Sequence, residues 1–172
     1  MWYVIQTLGG KEKETADMIR KCIPSCYIED CFVAKRERMK KFHGSWYKIE
    51  ETLFRGYLFV ITGQPEKLYQ RLKNIPRLTK ILGREENYFI PLRENEKRLL
   101  QSIGDKEHRT SISKVAIEEG KQVQVIDGPL KEYVGNVVKV NLHKREVVVE
   151  VTFMGRPVEL KMGIEMVYRA EN

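Results

Sequence analysis

Phe54-Arg55-Gly56-Tyr57-Leu58-Phe59-Val60-Ile61 is the stretch of this 172-residue chain whose reading decides the fold. After the break at Gly56 the apolar residues run on without a polar interruption, the pattern of a central strand buried on both faces. Upstream, Trp2 to Leu8 alternates aromatic and β-branched residues and then meets Gly9-Gly10, a second strand with its break. Between the two, Thr15, Met18, Ile19, Cys22 and Ile23 recur at spacings of three and four, one face of a helix over 11–23 that Pro24 stops. Residues 27–33 and 47–62 are strand-like and meet across a tip at His43-Gly44-Ser45. Downstream, Pro65 opens a helix through Leu68, Leu72 and Ile75 that Pro76 ends. Short strands are expected near 79–82 and 88–90. A further helix from about Glu94 turns Leu99, Leu100 and Ile103 inward and closes at Gly104. Strands alternating with helices predict an α/β sandwich over residues 1–103.

From Gly104 to Glu118 the chain is polar and aperiodic, which reads as a flexible linker. The pattern then changes. Eleven valines fall between Lys121 and Val158, with no helical period. Val123 and Val125 share one face; Val138, Val140 and Leu142 are expected to continue it; a turn at 143–146 leads into Val147, Val149, Val151 and Phe153. Asp127-Gly128-Pro129 and Gly155-Arg156-Pro157 supply further turns. Short strands at this spacing over residues 119–172 make a small barrel whose edges close on each other. β-branched residues in that number favour a constitutive barrel over a helical alternative.

The chain carries 31 Lys and Arg against 24 Asp and Glu, a net charge of +7. Split along the sequence, residues 1–103 hold the whole excess, while 104–118 and 119–172 are each balanced. Residues 35–48 concentrate six bases and one acid around Phe42, Trp46 and Tyr47. Such a patch suits phosphate attraction with base stacking; the alternative is a solvated hairpin tip. No segment is apolar over a bilayer's width and no basic leader precedes Trp2, so a soluble, cytoplasmic protein is expected. Cys22, Cys26 and Cys31 are odd in number and lack paired metal spacing, and His43 is the one nearby candidate for a fourth ligand. They read as reduced thiols. There is no P-loop and no H-E-x-x-H, and the three His are scattered, so neither enzyme, cofactor nor metal is expected.

With these features in place, the first segment resembles the NGN domain of the NusG family of transcription elongation factors. The residues that carry the likeness are Trp2-Tyr3-Val4, Gly10-Lys11-Glu12, the 54–60 strand, and Ile75-Pro76-Arg77-Leu78 followed by Gly83. The C-terminal part is similar to the family's SH3-like KOW β-barrel in Gly120-Lys121-Gln122-Val123, Asp127-Gly128-Pro129-Leu130, Gly135-Asn136-Val137-Val138 and 153–160. The two in tandem imply an α+β chain with an NGN sandwich, antiparallel sheet flanked by helices, followed by the KOW barrel. Arg55 departs from the family's usual proline, which would alter the turn before the central strand. Among subgroups the chain looks more like specialised paralogues, in particular the LoaP antiterminators, through its early start, its basic hairpin and its lack of a long insertion.

The resemblance implies a regulator that binds the clamp helices of RNA polymerase and promotes antitermination, with recruitment by a nascent RNA hairpin. Trp2, Phe54, Tyr57, Phe59 and Arg77 are the implied polymerase-binding residues, although Trp2, Leu58 and Phe59 read equally as core. Lys35, Arg36, Arg38, Lys40 and Lys41 are the hairpin candidates for a second contact, to polymerase or to nontemplate DNA. Lys131, Tyr133, His143, Lys144, Arg145, Arg156 and Lys161 are the RNA candidates; since residues 119–172 are net neutral, tight RNA binding requires these bases on one face. Phe153 lies in the loop that housekeeping members turn to a ribosomal protein or the termination helicase, and its phase with Val147, Val149 and Val151 also fits core packing. A monomer without membrane contact is expected. The other readings are a general NusG-type factor and a ribosome-type RNA-binding protein.

Overall fold

A computed structural model describes residues 1–75, 89–117 and 123–167. Arg77 and the strand expected near 79–82 lie outside these residues. The chain divides into two compact units, Met1–Ala34 with Phe54–Arg98, and Lys35–Leu53 with Leu99–Asn172.

The first unit is built on the antiparallel sheet β2-β5-β1-β6, formed by β1 (Trp2–Gln6), β2 (Asp30–Phe32), β5 (Tyr57–Ile61) and β6 (Phe89–Pro91). β5 lies between β1 and β2, in register Val4↔Phe59 and Phe32↔Phe59. This interior position explains its unbroken apolar run, since both faces need cover. On one face Tyr3, Ile5, Cys31, Leu58 and Val60 pack with Ala16 and Ile19 of α1 (Glu12–Cys22) and Leu68 and Leu72 of α2 (Pro65–Lys73). The helices carry apolar residues at the three-and-four spacing that such a face requires. In α1 the first-turn acids Glu12 and Glu14 and the last-turn bases Arg20 and Lys21 also suit the helix dipole.

The turn before β5 forms with Arg55 in place. Gly56 sits at φ +85°, a left-handed conformation open to glycine at little cost. The Gly56 N–H donates to Glu12 Oε1 at 2.6 Å, and the same carboxylate accepts from the Gly10 N–H at 3.0 and 3.1 Å. One buried side chain thus joins the start of α1 to the start of the central strand. Arg55 lies over Gly9, where an added Cβ would come within 2.8 Å of its Nε.

The second unit contains a long hairpin, β3 (Lys35–Phe42) and β4 (Ser45–Thr52), and a five-stranded sheet of order β10-β11-β12-β8-β9. Its strands are β8 (Ser113–Ile117), β9 (Val123–Asp127), β10 (Val137–Asn141), β11 (Glu146–Phe153) and β12 (Arg156–Met166). β12 pairs antiparallel with β11 along its first part and parallel with β8 along its last. Val147, Val149, Val151 and Phe153 alternate inward with Leu160, Met162 and Ile164. The 3₁₀ turns at Pro129–Asn136 connect β9 to β10 and bury Leu130, whose N–H donates to Ser113 Oγ at 3.0 Å.

Two expectations are corrected. Val138 and Val140 are 53% and 39% exposed: Val138 falls at an irregularity in the β10–β11 register between Val137 and Lys139, and Val140, although paired with inward-facing Val147, lies on the end strand of the sheet. The expected linker at 104–118 holds two strands, β7 (Arg109–Thr110) and β8, of which Ser113, Val115 and Ala116 are buried. Polar composition hid them: β7 is anchored by charge, running parallel to β3, and β8 buries a serine and then the adjacent Val115 and Ala116, which leaves no apolar alternation to read. α3 (Glu94–Ile103) precedes them, as expected, with Leu100 and Ile103 buried.

Candidate functional site

In the first unit, strand alternation puts Trp2, Val4, Tyr57, Phe59 and Phe32 on the face opposite the helices. Phe59 is fully buried among Phe32 and Phe54, ring centroids 5.4 and 5.8 Å away, and Phe54 itself is 3% exposed. Neither presents surface to a partner. Trp2 and Tyr57 are half-buried, and Trp2 meets Phe32 edge-on at 5.7 Å with the Lys97 ammonium 5.8 Å from its ring centroid. This face therefore offers an aromatic and cationic rim over a closed aromatic base.

The five hairpin bases divide by depth. Arg36 is buried: its guanidinium donates to Glu51 at 2.7 Å and to Glu146 of β11 at 3.2 Å. Arg38 approaches the same two carboxylates at 3.4 and 4.0 Å. Arg36 and Arg38 are thus held within the second unit by carboxylates. Lys35 is half-buried, 3.9 Å from Glu50. Lys40 and Lys41 are exposed towards the tip. The outer face of the β11–β12 ladder supplies the partner surface: Glu146 points outward by alternation yet is 5% exposed, and a Cβ on its register partner Gly163 would collide with the Glu37 carbonyl. Only glycine allows β12 and β3 to approach this closely.

A second charge cluster sits at the base of the hairpin. Arg109 reaches Glu50 at 2.7 Å, Glu107 at 2.8 Å, Asp105 at 3.4 Å and Glu37 at 3.7 Å. Its hydrogen bond holds Glu50 below the usual carboxylate range. Asp105 is lowered too: burial opposes this, but the N–H groups of Arg109 and Glu107 and the guanidinium outweigh it.

The RNA candidates do not converge on one patch. The 143–145 turn and Arg156 lie at opposite ends of the β11–β12 ladder, seven strand steps or roughly 23 Å apart. Arg145, at φ +51°, stacks its guanidinium 3.9 Å from the Trp46 ring centroid, and the Tyr133 hydroxyl hydrogen-bonds Ser102. His143, Lys144, Lys131 and Lys161 remain exposed. Phe153 is 1% exposed inside the barrel sheet, so its ring belongs to the core. Among the described residues no group of three His, Cys, Asp or Glu side chains could hold a metal ion, and no helix is long and apolar enough to cross a membrane.

A family model described as "Transcription termination factor nusG" matches residues 1–101, more than half of the chain. The chain belongs to the NusG family. The NusG transcription termination/antitermination protein of Haemophilus influenzae is 29% identical over 173 residues, covering 94% of this chain and 91% of that protein. Its counterpart in Escherichia coli K12 is 28% identical over 177 residues, covering 98% and 96%. The solved structure "Domain interaction in Thermotoga maritima NusG" superposes with a TM-score of 0.54 at 20% identity over 94% of this chain and 92% of that one, and so shares its fold.

Within this NusG-family chain the ionic partners Glu51, Glu146 and Arg109 were not visible as site residues in the sequence. The available signal was slight: Glu146 is an acid at the head of a valine strand, and Glu50-Glu51 reads as solvated surface.

Proposed function

We propose that the protein is a regulator of transcription elongation that binds RNA polymerase through its N-terminal unit and promotes processive antitermination, recruited by an RNA hairpin in the manner of the LoaP antiterminators. The observation that carries this reading is the family match over residues 1–101 together with a likeness to NusG relatives that spans 94% of this chain and 91% of the relative. It acts by binding, as a monomer in the cytoplasm, and not as an enzyme. Trp2 and Tyr57 are the aromatic contacts to the polymerase clamp helices, supported by their partial exposure beside Lys97, with Phe54 and Phe59 shaping the surface from below. Arg77 completes this set by its family position. RNA contact falls to the exposed bases of the β10–β11 turn, His143 and Lys144, since Arg145 and Tyr133 are engaged within the protein.

Transcription in vitro through a terminator, with and without a candidate leader hairpin, tests the proposal using the full chain. Readthrough that depends on the leader is expected. Equal readthrough without it removes the RNA-recruited reading and leaves a general NusG-type factor; failure to copurify with polymerase removes both.

A further inference from the structure

On the helix side of the first unit's sheet, away from Trp2 and Tyr57, an open hollow of about 710 Å³ lies between α2 and the 3₁₀ turn Ser25–Tyr27. Tyr27, Glu66, Lys67, Gln70, Arg71 and Asn74 line it. The Arg71 guanidinium carbon stands 4.2 Å from the Tyr27 ring centroid, and one Nη donates to the Tyr27 hydroxyl at 2.9 Å. Tyr27 is itself held in place. Its side chain packs against the core, its carbonyl accepts from the buried Thr62 Oγ1 at 2.7 Å, and its N–H donates to the Pro24 carbonyl at 3.0 Å. Arg71 is thereby a flat cation pinned on one face and exposed on the other. Lys67 lies one turn earlier on the same stripe of α2, about 6 Å away at Cβ, and Gln70 and Asn74 make a parallel row beside it. Among the described residues neither Lys67 nor Arg71 is paired with a carboxylate.

We propose that this hollow binds a free purine nucleoside monophosphate. It adds a small-molecule ligand to the binding contacts of the proposed function and does not depend on them. A guanidinium plane is a stacking plate for a nucleobase, and Arg71 offers one already oriented, so little ordering remains to be done on binding. A purine covers more of that plate than a pyrimidine. Beside it, the amides of Gln70 and Asn74 each present a donor next to an acceptor, the complement of the N6 and N7 edge of adenine. Lys67 meets the phosphate, and Glu66 accepts from a ribose hydroxyl. Two cations and one acid leave a single positive charge over the hollow, which suits one phosphate. A nucleic-acid strand fits poorly. Glu66 repels phosphates that would continue past the site, and α2 runs only about 10 Å from Lys67 to Asn74.

Saturation-transfer NMR of AMP, UMP, adenosine and oligo-dA with the full chain tests this. AMP receives saturation chiefly on its base protons, and titration ranks it above UMP and adenosine. Arg71→Ala weakens AMP roughly tenfold, the scale of one lost stacking partner. Lys67→Gln weakens AMP and leaves adenosine unchanged, which a loss of structure would not do. Both positions are exposed, so circular dichroism of the variants matches the wild type. Equal affinity for AMP and adenosine overturns the proposal, as does AMP binding unchanged in Arg71→Ala. Oligo-dA that binds more tightly than AMP and displaces it assigns the hollow to a nucleic-acid strand instead. Absence of any saturation on AMP removes the site altogether.

Discussion

Arg36 and Glu146, 110 residues apart in sequence, form an ion pair at 3.2 Å with each side chain 6% exposed. The two partners are not equally provided for. Arg36 also donates to Glu51 at 2.7 Å, whereas the next cation to Glu146 is Arg38 at 4.0 Å. Removing Arg36 strands a buried carboxylate, and loss of one member of a buried pair costs about 3–5 kcal/mol. Removing the Glu146 charge leaves Arg36 with Glu51, a loss nearer the roughly 1.5–3 kcal/mol of one charged hydrogen bond. Arg36→Met is therefore expected to lower the urea midpoint more than Glu146→Gln, and the double variant less than the sum. Equal losses would contradict this asymmetry.

Glu12 is 3% exposed and holds the N–H groups of both Gly10 and Gly56. Glu12→Ala leaves those donors without their acceptor, at about 1–3 kcal/mol for a group that stays buried. Glu12→Gln keeps a carbonyl oxygen for Gly56 and is expected to cost less. Urea denaturation orders the three proteins; a glutamine variant as unstable as the alanine one would show that the charge, not the acceptor, matters.

How far these relationships were legible in the sequence depends on whether they leave a period. The 54–61 run and the Val147-Val149-Val151-Phe153 alternation record burial by apolar residues at regular spacing, and both fold as expected. Arg36 with Glu146 and Arg109 with Glu50 are pairings of polar residues far apart in the chain, and no local pattern encodes them. The same limit affects the site residues. A basic run announces the hairpin, but only the structure separates Arg36 and Arg38, held by carboxylates, from Lys40 and Lys41, which are exposed. Gly163 is equally silent, since its reason is the Glu37 carbonyl of a strand over a hundred residues earlier.

The three cysteines are expected to differ in reactivity. Cys31 is buried, and burial pushes its thiol up to about 12 against the opposing pull of Arg20. Thiolate is the reactive form, so at mildly alkaline pH Cys31 is both protonated and enclosed. Cys22 and Cys26 are exposed. Titration of the native protein with an aromatic disulfide reagent should modify two thiols, the third following only in denaturant. Prompt reaction of all three would show that the sheet face over Cys31 opens readily.

Arg109 makes the base of the hairpin sensitive to acid. Glu50 and Asp105 are both held below their ordinary values of 4.5 and 3.8, Glu50 chiefly by the Arg109 hydrogen bond. A carboxylate with a lowered folded pKa contributes stability that is complete above its unfolded pKa and is lost as pH falls through the folded one. The contribution is therefore whole at about pH 6 and declines from about pH 4 downwards. Both carboxylates are solvent-accessible, so screening makes the effect modest and salt-dependent. Arg109→Gln removes the cation that Glu37, Glu50, Asp105 and Glu107 share, which returns Glu50 and Asp105 towards ordinary titration. Thermal unfolding followed across that range should give wild type the steeper fall in Tm on acidification, with the two curves converging at the acid end. A variant whose Tm falls in parallel with wild type would place the acid-sensitive groups elsewhere.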